Sequence, residues 1–380
     1  MRFFVVFFFV IYGLLHLYAS LKVKAVLSLD FKSALSMALF MTIMIFSPLI
    51  VYTSEKHGLE SLARVLSYTG YLWMGFLFLF VSMALAIDFY RLIPYAGGII
   101  FRKDLSGMVP SAGLSVLIPA LFSLAACTYG YFDAKNYRTE HVTIRTSKLP
   151  PDISRLKIVQ ISDVHLGLIV REDRLKRIIE QVKTAKPDIF VSTGDLVDGL
   201  INRLEGLPEL LDEVKPRYGK FAITGNHEFY AGIEQSLGFT KSAGFTILRG
   251  EGVTVEGIIN IAGVDDEAGN YYGLSKNVSE KELLSRFDNG KFTLLLKHRP
   301  LPDRDSTGLF DLQLSGHTHK GQIFPFSVIT DFYYPAHAGV LNLLNGSLLY
   351  VSRGTGTWGP PIRFLSPPEV TVIELVREGA

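Results

Sequence analysis

Five clusters of carboxylate, amide and imidazole side chains carry the chemistry that this sequence can perform. In chain order they are Asp163-Val164-His165, Gly194-Asp195-Leu196-Val197-Asp198, Gly225-Asn226-His227-Glu228, the single His298, and Gly316-His317-Thr318-His319. This mixture of ligands suits manganese, iron, zinc or similar ions and lacks the thiolates of a structural zinc site. Because five of the nine histidines lie in these clusters, a purely structural role for all of them is a poor explanation.

Each cluster follows a short apolar run that is typical of a buried strand. The preceding runs read KIVQIS, IFVST, FAIT, FTLLLK and LQLS. In open α/β sheets, sites form beyond the carboxyl ends of the strands. Glycine precedes three of the clusters, where a tight turn off a strand needs backbone freedom. We therefore predict that the five clusters contribute to one metal site.

The second half of the chain alternates strand-like and helix-like patterns. Apolar residues recur at helical spacing in residues 171–185, and residues 205–214 also look helical. Strands are predicted at 158–161, 189–192, 221–224, 258–264, 292–296, 312–315, 348–352 and 370–375. Strands separated by helices favour α/β layers. Because fewer helices separate the later strands, we expect two packed sheets flanked by helices.

Taken in order, the five clusters resemble the D-x-H, GDxxD, GNH(E/D), single-His and GHxH motifs of the calcineurin-like metallophosphoesterase superfamily. The run SRGTGTWGPP at residues 352–361 and the pair Pro367-Pro368 are similar to those of bacterial membrane-associated members of the YkuE type. The resemblance covers residues 138–376. It departs at Lys320, where such proteins often have glycine, and in the setting of the single histidine, Lys297-His298-Arg299-Pro300. It implies a calcineurin-like α/β/β/α sandwich of two packed mixed sheets.

The resemblance also implies a centre of two divalent metal ions, with manganese, iron and zinc as the candidates. It assigns Asp163, His165 and His319 to one ion, Asn226, His298 and His317 to the other, and Asp195 to a bridging position. Ions held ~3.5–4 Å apart can clamp both the entering and the leaving oxygen of a displacement at phosphorus. A hydroxide shared by the two ions is then the expected nucleophile, because metal-bound water has a lowered pKa.

The same resemblance gives other residues supporting roles. His227 is expected to stabilise the phosphoryl charge or to protonate the leaving group. Asp198 and Glu228 are expected to support the ligands from behind or to act as capping residues. Lys320 and Arg353 are candidates for contacts with substrate, although a role as ordinary surface charge is an equal alternative for both.

Several other polar residues have plainer explanations. The acidic run Asp265-Asp266-Glu267 fits an acidic loop better than a metal site. Lys297 and Arg299 are evenly balanced between binding phosphate and serving as surface charge. The remaining histidines of the second half, His141 and His337, are expected to be structural. Cys127 is the only cysteine, which excludes an intrachain disulfide.

The first 133 residues have a different composition from the rest. Hydrophobic residues make up 48% of the whole chain and charged residues only 19%, and most of the apolar excess lies in this part. Four apolar runs near 3–20, 34–52, 68–87 and 111–132 each approach the ~20 residues that a membrane-spanning helix needs. We expect a transmembrane region at 1–133, a linker or edge segment at 134–155 and a metallophosphoesterase domain at 156–380. The first run is either an anchor or a cleaved signal peptide, and the three further runs favour an anchor.

The distribution of basic residues leaves the side of the membrane open. The first and third loops contain Lys22, Lys24, Lys32, Arg91, Arg102 and Lys103, against Arg2, Lys56 and Arg64 on the opposite face. That asymmetry favours a catalytic domain outside the cytoplasm. Counting Lys135, Arg138 and Arg145, which follow the fourth run, makes the two faces equal.

These observations predict a protein of a bacterial cell membrane that hydrolyses a phosphoester or pyrophosphate bond. The apolar and aromatic segment 323–344 follows His317 and His319. It either packs as core or forms an apolar lip that faces the bilayer, and such a lip together with the anchor favours a lipid-linked substrate. The alternative is a phosphatase or phosphodiesterase acting on soluble nucleotides or cell-wall phosphates. A non-catalytic, metal-stabilised binding module is a rival that the complete ligand set disfavours. The small net charge of +2 gives no reason to expect a nucleic-acid partner.

Overall fold

The chain divides into two units, which we describe separately. The computed structural model describes residues 2–199 and 204–379, and the side chains of residues 5–199 and 204–379. The first unit contains the residues up to Phe132 and the short stretch Gly359–Ile362. The second unit contains Asp133–Trp358 and the residues from Arg363 onward.

Four helices make up most of the first unit. They are α1 (Arg2–Lys24), α2 (Phe31–Lys56), α3 (Glu60–Phe101) and α4 (Leu114–Asp133). All four are long and apolar enough to cross a membrane, which confirms the four predicted apolar helices. The third helix extends well beyond its predicted run at 68–87. Its 42 residues are about 63 Å long at 1.5 Å per residue.

Several polar side chains in the helical unit contact other helices. The Trp73 indole donates to His16 Nε2 at 3.0 Å, which ties α3 to α1. The Tyr18 hydroxyl donates to Asp88 at 2.7 Å, and Lys22 pairs with the same carboxylate. Large apolar side chains such as Phe31 are exposed instead. This arrangement is the one that helices in lipid require, because polar groups there need partners within the protein.

The first sheet of the second unit has six strands in the order β1-β12-β2-β3-β4-β5. The strands are β1 (Arg138–Thr146), β2 (Arg155–Ile161), β3 (Ile189–Ser192), β4 (Lys220–Ala222), β5 (Thr246–Ile247) and β12 (Glu369–Arg377). Strands β2 to β5 pair in parallel, whereas β12 runs antiparallel to β2. The segment predicted as a linker or edge therefore contains an edge strand, β1, which pairs in parallel with β12.

The second sheet also has six strands, in the order β10-β11-β9-β8-β7-β6. They are β6 (Glu251–Val255), β7 (Ile259–Gly263), β8 (Phe292–Leu296), β9 (Leu312–Ser315), β10 (Gly339–Asn342) and β11 (Leu348–Val351). The four central strands are parallel and the two edge strands are antiparallel to their neighbours.

The core lies between the sheets and beneath the helices. Ile158 and Ile189 of the first sheet pack in one apolar cluster with Leu294 and Leu312 of the second, and all four are fully buried. Each such side chain contributes about 1.5–3 kcal/mol on burial. The helices are α5 (Glu172–Ala185), α6 (Leu207–Asp212), α7 (Asn226–Ala231), α8 (Ile233–Ser242), α9 (Ala268–Tyr272), α10 (Glu280–Leu284) and α11 (Phe326–Tyr333). Two mixed sheets flanked by helices confirm the predicted fold class.

This topology determines where the clusters can meet. Parallel strands β2, β3 and β4 end just before Asp163, Asp195 and Asn226, so their carboxyl ends lie along one edge of the first sheet. Parallel strands β8 and β9 end just before His298 and His317, along one edge of the second sheet. The two edges together form the site, as the principle of carboxyl-end sites predicts.

Candidate metal centre

Two groups of candidate ligands, and a third combination that overlaps them, converge at these strand ends. The first group is Asp163, His165 and His319, the second is Asp195, His298 and His317, and the overlapping combination is His165, Asp195 and His227. Within each group the ligand atoms lie within 4.8 Å of one another. Residues separated by more than 150 positions in the sequence thus face the same small volume, which is how a metal site is assembled.

The closest atoms in each group are those that carry lone pairs. His165 Nε2 lies 3.1 Å from His319 Nε2, and His319 Nε2 lies 3.5 Å from Asp163 Oδ1. In the second group, His298 Nε2 lies 3.2 Å from His317 Nδ1. Two imidazole nitrogens that face each other at such distances suit a cation held between them.

The Asp195 carboxylate faces both groups. Its Oδ2 lies 3.3 Å from His298 Nε2 and 3.9 Å from His165 Nε2. The same side chain is almost fully buried. A buried carboxylate between two sets of imidazoles has the position that a shared metal ligand needs.

Asn226 adds an amide oxygen to the site. Its Oδ1 is buried and has no hydrogen-bond partner among the residues that the structure describes. A buried acceptor without a partner costs free energy. A cation would satisfy it, and the complete set of oxygen and imidazole donors therefore fits divalent manganese, iron or zinc.

Neighbouring groups orient the ligands. The Ser162 hydroxyl donates to Asp163 Oδ2 at 2.5 Å, and the His317 N–H donates to Asp163 Oδ1 at 2.9 Å. His298 Nδ1 lies 2.8 Å from the Thr193 carbonyl oxygen, which requires the proton on Nδ1 and directs Nε2 at the Asp195 carboxylate. The His227 N–H donates to Asp195 Oδ1 at 2.8 Å.

Five of the ligand candidates have left-handed backbone conformations. Their φ angles are +53° at Asp163, +53° at His165, +51° at Asp195, +71° at His317 and +49° at His319. Residues other than glycine seldom adopt this region, and the strain clusters at functional sites. The tight turns that follow the strands therefore aim these side chains at one point.

The glycines of the clusters serve two different purposes. Gly194 has φ +94°, so it supplies the backbone freedom that the sequence predicted. Gly225 and Gly316 have no positive φ angle. A Cβ at Gly316 would lie 1.9 Å from Ser162 Oγ, and one at Gly225 would lie 2.2 Å from Asp195 Oδ1. The explanation by backbone freedom is wrong for these two glycines, which are needed for close approach to the ligands.

Comparison with known proteins agrees with this geometry. The family model for Calcineurin-like phosphoesterase matches residues 156–321. An uncharacterized metallophosphoesterase of Aquifex aeolicus (strain VF5) is 42% identical over 252 residues, which cover 66% of this chain and 96% of that protein. The chain belongs to the metallophosphoesterase family. This metallophosphoesterase is therefore a metal-dependent hydrolase of phosphoesters.

Two further relatives extend the comparison. The metallophosphoesterase YkuE of Bacillus subtilis (strain 168), itself uncharacterized, is 34% identical over 250 residues, which cover 62% of this chain and 84% of YkuE. A protein of Danio rerio named "transmembrane protein with metallophosphoesterase domain" is 33% identical over 284 residues, 71% of this chain and 64% of that protein. Both matches are longer than the motifs alone, so the likeness extends across the domain.

Burial keeps three of the metallophosphoesterase's imidazoles neutral. It lowers the pKa of His165 to about 4 and that of His317 to about 3, with the positive charges of neighbouring histidines acting in the same direction. The pKa of His319 is held well below its ordinary value by burial and by the Arg363 guanidinium. A neutral imidazole keeps the lone pair that a metal requires.

The Asp195 carboxylate dominates the charge at the centre. Burial opposes ionisation of Asp195, but the charges of His298 and His227 outweigh it and lower its pKa well below the usual range. Burial likewise opposes protonation of His298, and the Asp195 charge outweighs it and raises the pKa of His298 to about 10. A buried negative charge at this position attracts cations.

His227 lies at the rim of the metallophosphoesterase site. Its Nδ1 lies 2.9 Å from Asp198 Oδ1, and burial of its ring is outweighed by Asp195 and Asp198, which raise its pKa to about 9. Its ring contacts those of Tyr230 and Trp358, with centroids 5.3 and 5.9 Å away. His227 therefore lies next to the candidate ligands, and its contact with Asp198 fixes the rotation of its ring.

Three further candidate residues, Glu228, Lys320 and Arg353, have different surroundings in the structure. The Glu228 carboxylate accepts the backbone N–H groups of Asp195, Leu196 and Gly225 at 3.0, 2.8 and 2.6 Å, which are the contacts of a capping residue. Lys320 directly follows His319 and has φ +50°. Arg353 is not brought to the ligands. Its guanidinium pairs with the buried carboxylate of Glu369 in β12 and with the half-buried carboxylate of Glu140 in β1.

The acidic run has a structural explanation. Asp266 is buried and accepts two hydrogen bonds from Arg299, at 2.8 and 3.1 Å, and Asp265 pairs with Arg249 at 2.7 Å. These carboxylates neutralise half-buried guanidinium groups. Asp265 and Asp266 lie in the loop after β7, as expected, and Arg299 is committed to an ion pair rather than being ordinary surface charge.

Sequence reasoning missed Arg363, which is fully buried beside the ligands. Its guanidinium donates to the carbonyl oxygens of Gly356 at 2.6 Å, Arg353 at 2.7 Å and His319 at 3.1 Å. It thereby fixes the loop after β11 against the loop that carries His319. Its one sequence signal is its position two residues after the SRGTGTWGPP run.

Proposed function

We propose that this metallophosphoesterase is an integral membrane enzyme that uses two divalent ions to hydrolyse a phosphoester or pyrophosphate bond of a lipid-linked substrate. The observation that carries the proposal is the position of Asp195, whose carboxylate faces both groups of imidazoles within 4 Å. One ion would need only one of the groups. Two groups that share a carboxylate support two ions.

In this proposal each ion has four protein ligands. Asp163, His165, His319 and Asp195 hold the first, and Asn226, His298, His317 and Asp195 hold the second. Manganese, iron and zinc all suit these donors. Bound there, divalent ions would neutralise charge on the phosphoryl oxygens and lower the pKa of the attacking water.

His227 is proposed to act on the substrate directly. Its Nδ1–H donates to Asp198, which leaves Nε2 as the atom that meets the phosphoryl oxygen or the leaving group. The aromatic rings of Tyr230 and Trp358 limit the directions from which solvent reaches the ring. A histidine held this way can stabilise developing charge or transfer a proton.

The helical unit is proposed to hold the enzyme in a membrane. In this proposal residues 1–133 are a transmembrane region, residues 134–155 connect it to the catalytic part, and residues 156–380 form the metallophosphoesterase domain. The four apolar helices support it, and so does the Danio rerio relative, whose name describes a transmembrane protein. An enzyme anchored in this way works at the surface where lipid-linked phosphates occur.

Metal-dependent turnover of an aryl phosphodiester by the full chain in detergent tests the chemistry. After removal of metal with EDTA, we expect activity to return with added manganese, iron or zinc and two ions to be bound per chain. His227→Ala should bind the same amount of metal but lose about 10²–10⁴-fold in kcat, as expected when a proton-transfer group is removed.

A matched control is His141→Ala, since His141 is an exposed histidine of β1 outside the site. It should retain full activity. Unchanged turnover in His227→Ala would contradict the mechanism, and binding of metal without any turnover would favour a binding module. Parallel assays with a lipid pyrophosphate and with nucleotides separate the two substrate classes, because faster turnover of nucleotides would refute a lipid-linked substrate.

A further inference from the structure

The side chains of α11 are arranged opposite to those of a helix that covers a protein core. Thr330 is the buried residue of this helix, and its hydroxyl donates to the Phe326 carbonyl oxygen. Phe332 is 84% exposed and Tyr333 is 70% exposed. A surface helix of a globular protein normally buries its apolar side chains. Helix α11 is therefore an exception to this pattern.

The exposed apolar side chains occupy one continuous face. At 100° per residue they span an arc of about 160°, and the polar residues occupy the remainder. We use the name α11 surface for these side chains, which are Phe326, Val328, Ile329, Phe332 and Tyr333. A contiguous apolar face of this kind marks an interaction site rather than ordinary surface.

The α11 surface is connected to the metal ligands. The ring of Tyr334, which ends α11, packs edge-on against the ring of His317 with centroids 5.4 Å apart. Thr318, which lies between the two ligand histidines of its loop, donates to the His337 carbonyl oxygen at 2.7 Å. Whatever the α11 surface contacts is therefore held at the rim of the catalytic site.

The short segment 134–137, which we call the tether, connects α4 to β1 and indicates which partner the α11 surface meets. Helix α4 ends at Asp133 and strand β1 begins at Arg138. The four residues between them span at most about 14 Å. If α4 lies in a bilayer, the domain is held next to that bilayer at all times. The eight residues of α11 include one acidic residue and no basic residue, so the attraction is apolar rather than electrostatic.

We infer that the α11 surface inserts into the boundary between headgroups and acyl chains of the bilayer that holds α1 to α4. The inference rests on the proposed membrane anchoring and deepens the proposed function. A helix inserted at this depth brings the site to the level of lipid headgroups, so that a lipid phosphate reaches the metal ligands while its acyl chains remain in the bilayer.

The depth of α11 in the full chain can be measured by fluorescence. The chain carries Cys127→Ser and one new cysteine labelled with an environment-sensitive dye, in vesicles that contain lipids brominated near the headgroup end of the acyl chain. We expect the dye at Phe332→Cys to emit at shorter wavelength and to lose intensity through quenching. The matched control is Asp288→Cys, an exposed position before β8, at the end of that strand opposite His298.

The outcomes separate this inference from the proposed function. Quenching at position 332 and not at 288 supports insertion. The inference would be overturned by no quenching at 332 or by equal quenching at both positions. A shorter emission wavelength without quenching would also overturn it, because protein rather than lipid would then cover the surface. Ile329→Cys repeats the measurement at a less exposed position, in case the first substitution perturbs the helix. Turnover of the aryl phosphodiester by the same samples reports the chemistry independently of depth.

Discussion

Asp198 contacts His227, the residue that is proposed to act on substrate. Its carboxylate lies 2.9 Å from His227 Nδ1, and this contact fixes both the direction of the ring and the nitrogen that carries the proton. The six residues of α7 begin at Asn226, so the backbone alone places His227 next to a proposed metal ligand. What the backbone does not fix is the rotation of the ring, and only a hydrogen-bond partner can do that.

We therefore predict that Asp198→Ala lowers kcat by about 10–100-fold, the usual effect of losing a partner that orients a functional histidine. Metal content and folding should remain close to those of the parent chain, because the Asp198 side chain is partly exposed and its carboxylate contacts His227 rather than a proposed ligand. Steady-state kinetics and elemental analysis check both parts. Asp212→Ala, which removes a surface ion pair, is the control, and equal losses in the two variants would contradict the prediction.

The sequence was informative about residues whose type and spacing define their chemistry. His165, His298 and His317 stood in recognisable patterns after apolar runs, and the structure brings them to one volume. Arg363 was not predictable in this way. Its partners are backbone carbonyl oxygens, and any residue can supply a carbonyl, so no side-chain pattern reports the contact. The ion pair of Arg299 with Asp266 was equally hidden, since the two residues are 33 positions apart.

The loop that follows β9 is the element with the least room to change. Gly316 lies between the end of the strand and His317, and a Cβ there would meet Asp163 Oδ2 at 2.2 Å as well as the Ser162 hydroxyl. Both atoms belong to groups that hold a metal ligand in place, so neither can move without altering the site. The turn therefore depends on the absence of a side chain.

We predict that Gly316→Ala destabilises the fold by about 1–3 kcal/mol, the cost of overpacking a close-packed interior, and also weakens metal binding. Gly238→Ala is the matched control, because a Cβ at that position in α8 meets nothing within 4 Å. Replacing glycine by alanine inside a helix should there be neutral or stabilising. Thermal unfolding and metal titration measure the two effects. A Gly316→Ala chain with parental stability and metal affinity would show that the loop can shift.

Elements were predictable where a buried apolar run identified them. Strands β3, β8 and β9 lie at the predicted residues because all their side chains are buried. Strand β1 was predicted only as a linker or edge, since its sequence RTEHVTIRT is largely polar and it lies at the edge of the sheet. Helix α11 was not predicted, because the apolar and aromatic segment 323–344 that contains it was interpreted as a loop.

The whole chain combines two units with opposite surface chemistry. The first exposes apolar side chains along helices of 20 residues or more, and the second buries its apolar side chains between two sheets. Length and composition were enough to predict the first unit, because a membrane span needs little more than ~20 apolar residues. They did not predict which side of the membrane the second unit occupies, because the basic residues of the loops balance when those after the fourth run are counted.

Four crossings nevertheless make a definite prediction about topology. Each crossing reverses the side, so the loop after α1 and the loop after α3 must share one face, and the loop after α2 must share the other face with the catalytic domain.

A thiol reagent that cannot cross membranes can test this topology. It is applied to Cys127→Ser chains that each carry one new cysteine, at Lys24, Lys56, Lys103 or Lys148. All four lysines are exposed, so a failure to label reports the membrane and not burial. We expect 24 and 103 to label together, and 56 and 148 to label together from the opposite side. Labelling of 103 and 148 from the same side would contradict a crossing by α4, and with it the short tether on which the membrane contact of α11 depends.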